Sequence, residues 1–165
     1  MVKIALAVLI IIFLPVISLA DSQKEIISPD GKVKAIIFGN KTDESIIEIY
    51  DSEKLLLKKD YTSKDGEHGV IVEHAEWTPD SKFFVYGMYS SGGHQPWHSP
   101  IDFYYREENK IYELENYLSE IEAIAQTDFK ITAPDTIQIT IINLSKRGGG
   151  NLSSRKVNLY DIVTH

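Results

Sequence analysis

The sequence predicts an all-β, mainly antiparallel chain of repeated hairpins, forming an open array or a sandwich, with one short helix. Three observations predict this class. Short β-branched and aromatic runs recur along the chain, separated by clusters of Gly, Pro, Asn, Asp and Ser. Pro-Asp pairs at Pro29, Pro79 and Pro134 mark turns, because proline presets φ at the second turn position and aspartate bonds back to the local backbone. Finally, Phe83 to Tyr89 is almost unbroken in apolar and aromatic residues, as expected of a strand buried on both faces.

Residues 1–20 read as a signal peptide: Lys3, a long apolar run, then Ser18-Leu19-Ala20 before polar Asp21. The competing membrane-anchor reading is weakened by a run near the lower limit for spanning and by Pro15 close to its end. Cleavage would leave residues 21–165, the size of a single β-rich domain with a real core.

Ser28-Pro29-Asp30-Gly31-Lys32 is the first turn, leading into a strand over 33–38. Ser45 to Tyr50 and Lys54 to Lys58 supply two more strands, and Asp60 to Glu67 a polar loop. The central hairpin follows, Gly69 to Trp77 and Phe83 to Tyr89, joined by Trp77-Thr78-Pro79-Asp80-Ser81-Lys82. Glu107-Glu108-Asn109 turns Ile101–Arg106 into Lys110–Leu114. Leu114, Tyr117, Leu118, Ile121 and Ala125 recur at helical spacing and predict the short helix. Phe129 to Thr132 and Ile137 to Ile142 are strands around the third Pro-Asp turn. Lys146 to Ser154 predicts a mobile loop, and Val157 to Val163 a closing strand.

The three Pro-Asp turns lie 50 and 55 residues apart, each followed by a β run, a loop and another β run. Such a period suggests propeller blades or a similar β repeat, here starting near 28, 77 and 132. Ser28-Pro29-Asp30-Gly31-Lys32 and Trp77-Thr78-Pro79-Asp80-Ser81-Lys82 resemble the W-S-P-D-G-K blade signature of TolB-type, WD-like β-propeller proteins. The third unit departs from it, with neither Trp nor Gly-Lys around Pro134. The resemblance implies blade-like structure and no particular function. Three units fall short of the four to eight blades of a closed ring.

Composition excludes several functions. Formal charge is −7, and loss of Lys3 leaves 16 basic against 24 acidic residues, or −8. An acidic chain argues against nucleic acid or an anionic membrane surface as partner. With no cysteine there is no disulfide, thiol nucleophile or cysteine metal site. Signal and cysteine usage together predict a bacterial periplasmic or secreted protein.

Residues 90–100 are the candidate site. His94, Gln95, Trp97 and His98, with Tyr104 nearby, offer polar and aromatic groups for a protein or small-molecule ligand. The expected hairpin register brings His68 toward the base of this segment, so His68, His94 and His98 form a second candidate, a divalent transition-metal site for zinc, copper or nickel. No cofactor motif is present. Serines 90, 91 and 99 lie beside histidines, but no Gly-x-Ser-x-Gly elbow supports a hydrolase. Glu73, His74 and Glu76 read as a solvated strand face. The sequence therefore favours a binding module without catalysis, with a metal protein or metal-dependent enzyme as first alternative. A structural accessory subunit that assembles by its sheet edges, and so forms oligomers, is the second alternative.

Overall fold

A computed structural model describes residues 23–39, 42–93, 99–119, 126–144 and 150–164. Their strands are β1 (Gln23–Ile27), β2 (Val33–Phe38), β3 (Ile46–Asp51), β4 (Lys54–Asp60), β5 (Val70–Trp77), β6 (Phe83–Ser90), β7 (Ile101–Tyr105), β8 (Lys110–Glu113), β9 (Gln126–Ala133), β10 (Thr136–Leu144) and β11 (Gly150–Asn158). They form three open antiparallel meanders: β1-β2-β3-β4 (sheet I), β5-β6-β7-β8 (sheet II) and β9-β10-β11 (sheet III). Among the described residues the chain is all-β with one short α-helix, and none of these sheets closes into a barrel.

Each Pro-Asp turn joins the first two strands of its sheet. The first two turns match bond for bond. Ser28 N and Val33 O are 2.8 Å apart, as are Thr78 N and Phe83 O. Val33 N donates to Ser28 Oγ at 3.1 Å and Phe83 N to Thr78 Oγ1 at 3.0 Å. Asp30 accepts from Lys32 N at 3.1 Å and Asp80 from Lys82 N at 3.2 Å. Gly31 and Ser81 both take the left-handed backbone, at φ 70° and 63°. The third turn is built differently: Asp135 O accepts from Leu159 N at 2.7 Å.

Sheet II lies between the other two. Strand β6 is buried from Phe83 to Met88, with only Tyr89 and Ser90 half-buried, as its unbroken apolar run predicts. Alternate residues face opposite ways. Phe84, Tyr86 and Met88 pack with Val33, Ala35, Ile37, Ile47 and Ile49 of sheet I. Phe83 and Val85 pack with Phe129, Ile137, Ile139 and Ile141 of sheet III. Each buried Val, Ile, Phe or Met among them contributes about 1.5–3 kcal/mol by leaving water. Trp77 bridges sheets I and II: its ring lies 5.1 Å from that of Phe84, and its Nε1 donates to Ile26 O at 3.0 Å.

The structure corrects four expectations. Strand β1 was not expected, because polar QKE precedes only two isoleucines. The expected closing strand ends at Asn158, whose side chain caps helix α1 (Leu159–Val163) by accepting from Tyr160 N at 2.8 Å. Leu159 and Ile162, three apart, bury one face of that turn. Part of the expected 146–154 loop is strand: Leu152, Ser153 and Ser154 pair with Ile142, Ile141 and Thr140. Being a polar edge, it shows no apolar alternation. In the described part of the helix expected over 114–125, Leu114–Tyr117 form a 3₁₀ turn and Leu118 is extended; residues 120–125 lie outside the described set. The signal-peptide segment also lies outside it.

Candidate functional site

The open end of the interface between sheets I and II forms a groove. Its first part, about 320 Å³, is walled by Lys24 of β1, by Ile37 and Gly39 on β2's side and by Ile71, Val72 and Ala75 on β5. Glu73 and Tyr89 belong also to a second concavity of about 320 Å³, which reaches Ser90, Ser91, Gly93 and Ser99. The two concavities meet at those shared residues, so the groove leads to both ends of the candidate 90–100 segment.

Local structure explains why Glu73 sits there. In the β5–β6 ladder Val72 opposes Met88 and His74 opposes Gly87, leaving Glu73 as the extra residue of a β-bulge. A bulge turns its extra side chain away from the regular alternation. Glu73 is exposed at the meeting point of the two concavities. The expectation of a solvated face holds for this carboxylate. His74 is half-buried, stacked at 4.3 Å on Phe129 and 3.1 Å from Asp128.

A carboxylate clamp fixes one end of the 90–100 segment. Glu44 accepts from Gly69 N at 2.6 Å, from Ser63 Oγ and Ser91 Oγ at 2.7 Å each, and from Ser63 N. These donors, the Ser63 N–H foremost, hold its pKa down to about 2 against the opposing effect of desolvation. Ser91 N also donates to Gly69 O at 3.1 Å. Gly69, the neighbour of His68, is therefore joined to the segment's base. A Cβ on Gly69 would lie 2.3 Å from the Glu44 carboxyl carbon and 2.4 Å from Tyr61 O, so only glycine fits.

His68 itself is exposed, with Nδ1 2.6 Å from Asp65 Oδ2. Asp65 is held well below the usual carboxylate range, mainly by the Glu67 N–H, then by Ser63 and His68. Among the described residues no group of three potential metal ligands converges. His94, Gln95, Trp97 and His98 lie outside the described residues. Tyr104 is corrected: it is fully buried between sheets I and II, 6.2 Å edge-on from Trp77, with its hydroxyl donating to Asn109 at 3.1 Å. Its place on the fully buried strand β7 makes it core and not a ligand platform. Ser91 Oγ is committed to Glu44 and Gly69 O, a structural role distinct from that of a nucleophile.

Sequence reasoning missed a buried acid. Asp102, 3% exposed on β7, accepts from Tyr61 Oη at 2.7 Å, and Tyr61 Oη lies 2.8 Å from Tyr86 Oη. Burial pushes the Asp102 carboxyl up to about 7, with Glu113 and Glu115 adding to the rise and Tyr61 and Lys59 opposing it. A lone aspartate in the apolar run Ile101–Tyr105 was the available signal.

No family model matches the chain. No curated protein matches it either.

Proposed function

We propose that the chain is an exported interaction module that takes an extended segment of a partner protein into the groove between sheets I and II. The observation that carries this reading is the continuity of the groove through Glu73 and Tyr89 to Ser91 and Ser99. Three features support a peptide-like ligand. The groove is open at the surface, whereas small-molecule sites are usually enclosed. It runs along β5, an edge strand of its sheet, as peptide-binding grooves often do. Its walls are mainly apolar and also carry one cation, Lys24, and one carboxylate, Glu73, which offer partners to the charged groups of a peptide.

The test is selection of binders from a random peptide library, followed by titration against variants. Tyr89→Ala and Trp97→Ala are each expected to weaken selected peptides at least about tenfold, as interface aromatics do. Leu152→Ala, on the distant edge strand β11, is expected to leave affinity unchanged. Binding that ignores Tyr89→Ala would remove the groove from the reading.

A further inference from the structure

The two end faces of the sheet stack differ in chemistry. On sheet III, the residues alternating with the buried isoleucines of β10 include Gln138, with Lys130 and Lys156 beside it. Apart from Ile142 and Leu152, which pair at its far end, the described residues of that face are mainly polar, as a terminal repeat requires for solubility. The outer face of sheet I mixes charged residues with a larger share of uncovered apolar ones. Its cross-strand rows are Glu25-Ile36-Glu48-Lys58 and Ile27-Lys34-Tyr50-Leu55, flanked by the pair Phe38-Ile46. Ile27 is 58% and Leu55 45% exposed, and Ile36, Phe38 and Ile46 are only half-buried.

We propose that this face is the dimer interface of the protein, covered by the same face of a second copy. The pattern is self-complementary. A two-fold axis lying between the copies and parallel to the strands keeps each row opposite itself and sets β1 over β4 and β2 over β3. Glu25 then opposes Lys58 of the second copy, Ile27 opposes Leu55, and Phe38 opposes Ile46. Lys34 opposes the ring of Tyr50, an arrangement already approached within one chain, where Lys34 Nζ lies 6.0 Å from that ring's centre. On the outer strands acid thus meets base and apolar meets apolar; on the inner strands Phe38 meets Ile46, and Ile36 meets Glu48, whose carboxylate keeps Tyr50 and Lys58 of its own chain as partners. Packing sheet III on this face instead would set the Lys130 and Lys156 side against the isoleucines, so ring closure by a head-to-tail copy is disfavoured. The interface is independent of the groove, which lies between sheets I and II, on the opposite side of sheet I.

The test is sedimentation equilibrium of the purified protein across the micromolar range, with exposed charge changes that leave the fold intact. Glu25→Lys places two lysines opposite each other at both margins, and Lys58→Glu places two glutamates there. Each variant alone is expected to dissociate at least about tenfold more readily, since like charges set face to face oppose assembly. Mixed one to one they are expected to form a heterodimer, because both margins again pair acid with base. Three results would overturn the proposal: a wild-type monomer throughout, a dimer indifferent to both variants, or a dimer that Lys130→Glu disrupts.

Discussion

The Tyr61 hydroxyl donates a 2.7 Å hydrogen bond to Asp102 Oδ2 from 41 residues away. It ties the chain just after the last strand of sheet I to a buried strand of sheet II. An acid in that position is favoured protonated, because burial disfavours its charge more than Tyr61 stabilises it.

This makes stability depend on pH with a definite sign. The folded pKa, about 7, lies above the ordinary value of 3.8. The folded state therefore holds the proton more tightly than the unfolded chain. The contribution is complete below about pH 4 and is lost as pH rises toward 7, over a range worth at most about 4 kcal/mol. Asp102→Asn is expected to flatten this slope and to stabilise the protein at neutral pH, as urea unfolding at several pH values would reveal. A wild-type stability that rises between pH 4 and 7 with no change in Asp102→Asn would refute the assignment.

The two matched turns also contact each other: Asp30 N donates to Ser81 Oγ at 2.9 Å, and Arg106 Nη1 donates to Asp30 Oδ2 at 2.7 Å. Ser81 combines that bond with a left-handed backbone, φ 63°. Ser81→Ala keeps the strain and loses the bond, and is expected to destabilise by about 1–2 kcal/mol. Ser81→Gly loses the same bond but relieves the strain, so its melting temperature should lie above that of Ser81→Ala.

Gly69→Ala tests the clamp. The new methyl group would collide with the Glu44 carboxylate and with Tyr61 O, so the loop or the carboxylate must move. A loss of about 2–3 kcal/mol is expected, with faster proteolysis at residues 61–69. Wild-type stability in this variant would show that the contacts around Glu44 yield easily.

The histidine alternative has its own measurement. Under the groove reading, zinc, copper, nickel and calcium leave the melting temperature of tag-free protein unchanged. Near-stoichiometric bound metal that His94→Ala abolishes would instead make the histidines the site.

Much of the strand pattern was legible because burial on two faces or one leaves a direct trace in residue type. Phe83 to Tyr89 declared a doubly buried strand, and Val33 to Phe38 alternates buried with half-buried positions. Elements on the periphery left no such trace. Strand β11 is polar over Ser153–Lys156, and α1 is a single turn whose signal is one capping asparagine and two apolar residues. Tyr104 misled because an aromatic near a glycine-rich loop reads equally as platform or core. Its strand neighbours Phe103 and Tyr105 show that the whole strand is covered.

By itself, then, the sequence determined the strands with an apolar signature and the places where Pro-Asp reverses the chain, because these depend on residues adjacent along the backbone. Only the tertiary structure decided which sheet covers which. That arrangement buries Asp102 against Tyr61, closes Gly69 on Glu44, opens the groove at Glu73 and leaves Ile27 and Leu55 exposed on the outer face of sheet I. Each of these relations joins residues far apart in the chain, and depends on sheet stacking and register, which local residue patterns do not encode.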